Sequence, residues 1–242
     1  MQLAGHTYAF RSLPLERALE RLVGLGLHDV EVWLGHARED PDKAAEIVER
    51  AGVQVRAISA GGFYAIGDDT PARAVALAAA LDVHVIVMCV APELVASLER
   101  LIPPQVWMAV ENHWDQPLAR SPEVAAAIGT SRLVACLDTG HALAAGEMPE
   151  DFARRLGRRL AHVHLKEGRM PSRRERLLGR RVRRRVLGKL EPVVPGKGDL
   201  DLPALRAALT EIGFDGCVTA EHEGEQPEKA LATLARRWQE SL

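Results

Sequence analysis

Eight times along the chain, a short apolar run rich in β-branched residues gives way to a longer amphipathic segment rich in Ala, Leu, Arg and Glu. Strand candidates lie near residues 3–10, 28–34, 53–60, 83–90, 105–112, 132–138, 160–166 and 216–222. Helix candidates follow near 14–24, 40–51, 70–81, 92–101, 120–128, 149–158, 201–212 and 226–240. Pro14, Pro41, Pro71, Pro122 and Pro203 stand where a first helical turn tolerates a missing donor. Strands that alternate with helices need right-handed crossovers and therefore a parallel sheet. Eight units without a leftover segment favour closure into one (β/α)8 TIM barrel over residues 1–242 rather than an open, doubly wound sheet. No GxGxxG follows the first strand, and GLGLHD at 24–29 precedes a strand instead of opening a helix, which argues against a dinucleotide fold.

Composition narrows the class further. At 47% hydrophobic and 26% charged residues the chain is expected to fold over most of its length. It has no apolar window near the roughly 18 residues that span a membrane, and MQLAGHTYAF lacks the basic start and apolar core of a signal peptide. Cys89, Cys136 and Cys217 are far apart, each inside an apolar run, as expected of buried thiols in a reducing cytoplasm. The net charge of −2 hides an asymmetry: residues 154–197 hold 16 Lys+Arg against 3 Asp+Glu. Most of this excess lies in one long connection, 167–200, which includes the run RRERLLGRRVRRR at 173–185. In a barrel that connection emerges at the C-terminal face, where active sites are built. Its nine arginines from 169 to 185 fit a phosphate clamp, a nucleic-acid surface, a solvated helix face or a dimer contact, and the sequence leaves these open.

Apolar strands that end in ionisable residues carry the chemistry. Strand five, VWMAVENH, ends in Glu111; strand six, RLVACLDTGH, ends in Asp138, with His141 three residues on. Strand seven, LAHVHLKE, bears His162, His164 and Lys166 at alternate positions, so all three point to one side. Strand eight, GCVTAEHE, ends in Glu221. Three carboxylates converging on one rim repel one another unless a cation or protons offset them. With one imidazole beside them they suit a single divalent ion, Mn²⁺ or Mg²⁺ first, then Co²⁺ or Zn²⁺.

The runs VENH, LDTGHALAAG, HVHLKEG and VTAEHE, with PGKGDLD before helix seven, resemble the xylose isomerase-like TIM barrels, the sugar phosphate isomerase/epimerase family. The resemblance implies one metal held by Glu111, Asp138, His164 and Glu221. It also implies isomerisation or epimerisation of a keto or aldo sugar, or a sugar phosphate, through an enediolate. Glu111 and Glu221 would be the acid/base pair. His141 would donate to a developing oxyanion or orient Asp138, and Lys166 would contact a substrate oxygen or be solvated. His162, a layer deeper, is expected to be a core histidine. Glu31 resembles the family's rim glutamate on strand two and is expected to touch substrate, as is His6 near the end of strand one. Trp33 and Trp114 would shield the site from water or pack at its edge. The short connection between strands four and five implies a small, open site, completed by the 167–200 loop or a neighbouring subunit of a homo-oligomer.

Two other readings keep the barrel. Dehydration of a keto-inositol-like polyol would use the same base and metal to expel a β-hydroxyl. An abasic-site nuclease resembling endonuclease IV would give the arginines a purpose. That family, however, holds three zinc ions with extra histidines on strands two to four and an Asp-x-His pair after strand seven; here strand four ends MCVAP, and RVRRRVLGK has no such pair. A small carbohydrate partner, without nucleic acid or membrane, is the expectation.

Overall fold

Each of the eight apolar runs becomes a strand: β1 (Gln2–His6), β2 (Asp29–Trp33), β3 (Gln54–Phe63), β4 (Val85–Val90), β5 (Trp107–Glu111), β6 (Val134–Asp138), β7 (Leu160–Leu165) and β8 (Cys217–Ala220). In the computed structural model all neighbours pair in parallel, and β1 closes the ring against β8 through Gln2–Cys217 to Gly5–Ala220. The helices are α1 (Leu15–Gly24), α2 (Pro41–Ala51), α3 (Thr70–Ala80), α4 (Val95–Leu101), α5 (Ser121–Ile128), α6 (Thr139–Ala145), α7 (Pro149–Leu156), α8 (Leu202–Glu211) and α9 (Pro227–Glu240). The architecture is a (β/α)8 TIM barrel. The structure describes residues 1–172, 175 and 192–241, so almost all of the arginine run at 173–185 lies outside the described residues. No described helix is long and apolar enough to cross a membrane.

Alternation along the strands divides the core in two. Val87, Ala109, Val134 and Cys136 pack together inside the barrel. Their neighbours in sequence, among them Ile86, Met88, Val110, Ala135 and Leu137, pack outward against helix faces such as Leu15, Leu19 and Leu22 of α1. Local signals start the helices as the sequence suggests: Asp40 caps α2 by accepting from Lys43 N at 3.0 Å, and Asp201 caps α8 by accepting from Ala204 N at 2.9 Å. Two details differ from the sequence reading. The first strand stops at His6 because Thr7–Phe10 coils into a 3-10 turn, with Thr7 Oγ1 accepting from Trp33 N at 2.8 Å. The second is α6, an additional helix that starts immediately after β6 because the Asp138 side chain caps it, accepting from His141 N at 2.8 Å.

The two ends of the long connection after β7 are tied together by one buried carboxylate. Glu167, 5% exposed, accepts from Gly196 N at 2.7 Å, Leu200 N at 3.2 Å and Arg237 Nη1 of α9 at 2.8 Å. The glycines of PGKGDLD make this possible. Gly196 takes a left-handed φ of 83°, and a Cβ at Gly198 would overlap the Gly168 carbonyl oxygen and the Glu167 carboxylate. Glu167→Ala strands two backbone donors and a guanidinium, so the urea midpoint should report a loss of about 3 kcal/mol. Glu20→Ala, which breaks the exposed Arg17–Glu20 pair, should cost no more than about 0.5 kcal/mol. Equal losses would show that Glu167 is not the tie.

Candidate metal centre

The parallel register brings the ends of β5, β6, β7 and β8 to one place. One ligand atom from each of Glu111, Asp138, His164 and Glu221 lies within 4.8 Å of all the others. Glu111 and Asp138 are the last residues of their strands, His164 is the penultimate residue of β7, and Glu221 follows β8 directly. Side chains of the sequence motifs lock these ends together. Asn112, fully buried, donates from Nδ2 to Asp138 O at 3.1 Å and accepts from Asp138 N at 2.8 Å. Thr139 Oγ1 donates to Lys166 O at 2.6 Å and accepts from Lys166 N at 2.9 Å. Each strand end is thereby fixed to the next by a side chain that satisfies backbone groups the sheet has stopped pairing.

His164 stands at the centre. Its Nδ1 lies 2.7 Å from Glu111 Oε1 and 3.1 Å from Glu221 Oε2, while its Nε2 lies 3.0 Å from Glu31 Oε1. The other Glu31 oxygen is 2.8 Å from His162 Nε2, which also meets Thr219 Oγ1 at 3.0 Å. Burial alone would lower the His164 pKa. The Cys136 sulfur and the Glu31, Glu111 and Glu221 carboxylates outweigh it and hold the ring well above its usual value. Burial likewise works to raise Glu111, but His164 brings it down to about 2. Burial prevails at Glu221, whose pKa is raised despite Lys166 and His164.

Lys166 answers the remaining negative charge. Its Nζ lies 3.0 Å from Asp138 Oδ2, 3.0 Å from Glu221 Oε1 and 2.6 Å from Glu223 Oε1. Burial opposes its charge, yet Asp138, Glu221 and Glu223 raise its pKa well above normal. Asp138 Oδ2 and Glu221 Oε2 are buried with only the ion-pair contacts of Lys166, His164 and His141, and three carboxylate oxygens and an imidazole nitrogen are a donor set that suits a hard divalent cation. The residues therefore fit the ion expected from the sequence. Among the described residues only one other such group exists, His6, Glu31 and His164, and it shares His164 with the first.

A cavity of about 730 Å³ opens beside this centre, with His141, Lys166, His222 and Glu223 in its wall. His141 ring Nε2 lies 3.7 Å from Asp138 Oδ2, and burial, Lys166 and His113 together hold its pKa well below normal. Of the expected substrate contacts, His141 and Lys166 line the cavity, whereas His6, Glu31, Trp33 and Trp114 do not. Glu31 is not at the rim. It is fully buried behind His164, with Oε1 3.0 Å from the ring Nε2. The register shift between Val30 and Glu31 against β3 accompanies this deeper placement. His6, 2% exposed, faces Glu31 at 3.6 Å with neither ring nitrogen hydrogen-bonded. Trp33 packs edge-on against Tyr8 and His36, and Trp114 is buried. The sequence reading missed Glu223, although its place two residues after Glu221 is a signal for the same side. It also missed Cys89, whose Sγ donates to Glu111 Oε2 at 3.2 Å and for which no motif gives a signal.

Glu31 supplies a pH test. Burial works to raise its carboxyl, but His164, His162 and His6 outweigh it and hold the group well below 4.5. A depressed native pKa contributes stability above the unfolded value, and that contribution is lost as pH falls toward the native one. Glu31→Gln should therefore cost about 3 kcal/mol at pH 7, with the gap to the wild type shrinking below about pH 4.3. A gap that stays constant with pH would contradict the assignment.

The sequence pattern of the xylose isomerase-like TIM barrel family matches residues 18–242. No curated protein matches by sequence. Among solved structures, the probable 3-DHS dehydratase of Bacillus anthracis superposes with a TM-score of 0.75 at 15% identity, covering 98% of each chain. The 3-keto-D-glucoside 4-epimerase of E. coli superposes with a TM-score of 0.75 at 14% identity over 99% of each chain. An L-ribulose 3-epimerase gives 0.73 at 18% identity, over 100% of this chain and 96% of the other. The chain belongs to the xylose isomerase-like TIM barrel family.

Proposed function

We propose that the protein is a divalent-metal-dependent isomerase or epimerase of a keto or aldo sugar, or of a sugar phosphate. The observation that carries this reading is the convergence of Glu111, Asp138, His164 and Glu221 beside a cavity large enough for a sugar. Structural neighbours described as sugar epimerases support it. Glu111, Asp138, His164 through Nδ1, and Glu221 would hold the ion, with Mn²⁺ or Mg²⁺ the best match to their oxygen-rich set. When bound, it supplies Lewis acidity that favours an enediolate over a free carbanion.

The chain's own groups divide the remaining work. Glu111 and Glu221 are the acid/base pair: one carboxylate removes the proton from the carbon beside the carbonyl, and the other, as the acid, delivers a proton to the opposite face. One turnover leaves the first protonated and the second ionised, and exchange with solvent resets them. Lys166 and His141, at the cavity wall, donate hydrogen bonds to substrate oxygens. Glu31 holds His164 so that Nδ1 faces the cluster.

Two measurements test the reading. His164 must give up its Nδ1 proton to bind an ion, so calorimetry in buffers of different ionisation enthalpy should find about one proton released per Mn²⁺ at pH 7. In D₂O, the Mn²⁺-loaded protein should introduce deuterium beside the carbonyl of a ketose, followed by nuclear magnetic resonance. Glu111→Gln and Glu221→Gln should each slow that exchange by roughly 10²–10⁴-fold. If no keto-sugar exchanges, or if both variants exchange at the wild-type rate, the reading is wrong.

A further inference from the structure

The cavity beside the metal centre is unevenly charged. At its inner end every acid has a cation: Glu223 pairs with Lys166 at 2.6 Å, and Glu167 pairs with Arg237 at 2.8 Å. At the outer end the relation is reversed. Arg169 and Lys197 both line the cavity and both are exposed. Arg169 Nη2 donates to the Lys197 backbone carbonyl at 3.1 Å, which ties together the two ends of the long connection that carry these cations. Neither forms an ion pair with a described residue. Glu175, the remaining acid in the wall, accepts from Ser172 N at 2.7 Å.

Two cations in one cavity wall, neither with an acid partner among the described residues, attract an anion. A guanidinium adds a planar fork that matches carboxylate or phosphate oxygens. The same wall includes the apolar side chains of Met170, Pro171 and Val193. The Glu167 tie, with the close approach at Gly198, fixes the backbone of both segments to the end of β7, so both cations are anchored to the barrel at their backbone.

We propose that the cavity takes a substrate with an anionic end, a carboxylate or a phosphate ester, held by Arg169 and Lys197 while its polyol end reaches Lys166 and the metal centre. The proposal names the substrate class for the reaction inferred above and rests on that reading only for the reacting end. The anion-binding end stands on Arg169 and Lys197.

The test is calorimetric binding of matched probes to the Mn²⁺-loaded protein at low ionic strength: D-ribulose against D-ribulose 5-phosphate, and sorbitol against D-gluconate. The anionic member of at least one pair should bind about tenfold tighter or more, and the pair that shows it identifies the anion as phosphate or carboxylate. The preference should weaken with added salt, because the lip is exposed. It should vanish in the Arg169→Met, Lys197→Met double variant, with manganese content confirming that the variant is folded. Lys197→Glu alone should reduce it several-fold. Equal affinity within both pairs, or a preference that survives the double variant, would overturn the proposal. Deuterium exchange with D-ribulose and D-ribulose 5-phosphate, the two probes that carry a ketone, separates the two inferences. An anion preference without exchange leaves the lip assignment standing and the reaction refuted; exchange without an anion preference does the opposite.

Discussion

Three carboxylates, Glu111, Asp138 and Glu221, converge in a buried place where their mutual repulsion is not relieved by water. The fold brings them there because parallel strands in a closed barrel all end on the same face, and each contributes its last inward side chain. Such a cluster persists only with positive charge inside it. His164 and Lys166, both on the β7 side, supply that charge, and both are held in their cationic forms by the acids they neutralise. Much of the surrounding structure holds these five groups in register. Asn112 fixes Asp138, Thr139 fixes Lys166, Cys89 reaches Glu111 and Glu31 fixes His164.

That arrangement sets the terms on which a divalent ion would enter the site. Lys166 lies between the cavity and two of the acids, so its ammonium guards the approach to Asp138 and Glu221. A divalent ion entering the cluster competes with this ammonium and with the proton on His164, which couples metal affinity to pH. The ammonium retains Glu223 as a partner at the cavity wall and stays available to a substrate oxygen.

The barrel was readable from eight strand–helix units in succession, and the cluster from ionisable residues at the ends of strands five to eight. Alternation put His162, His164 and Lys166 on one side, and the family resemblance singled out His164 beside Glu111, Asp138 and Glu221. Depth along the barrel axis was not readable in the same way. Glu31 shares the inward parity, but strand register sets it behind His164, and register depends on pairing between distant segments. His6 is deep for the same reason. The short helix α6 was hidden because its sequence, TGHALAA, shows no amphipathic period, and its start depends on Asp138 acting as a cap. PGKGDLD was visible as a motif, but its purpose emerges only with Glu167. Gly196 and Leu200 close onto that carboxylate from 29 and 33 residues further along the chain, a separation that no local pattern reports.

Everything proposed for the site turns on one divalent ion occupying the Glu111, Asp138, His164 and Glu221 cluster. Anomalous X-ray scattering from crystals soaked in Mn²⁺ decides that point. A single peak is expected within bonding distance of all four side chains, with His164 bonded through Nδ1 and its Nε2 still on Glu31. A peak among His6, Glu31 and His164 instead, or no peak in the barrel at saturating Mn²⁺, would refute the occupancy.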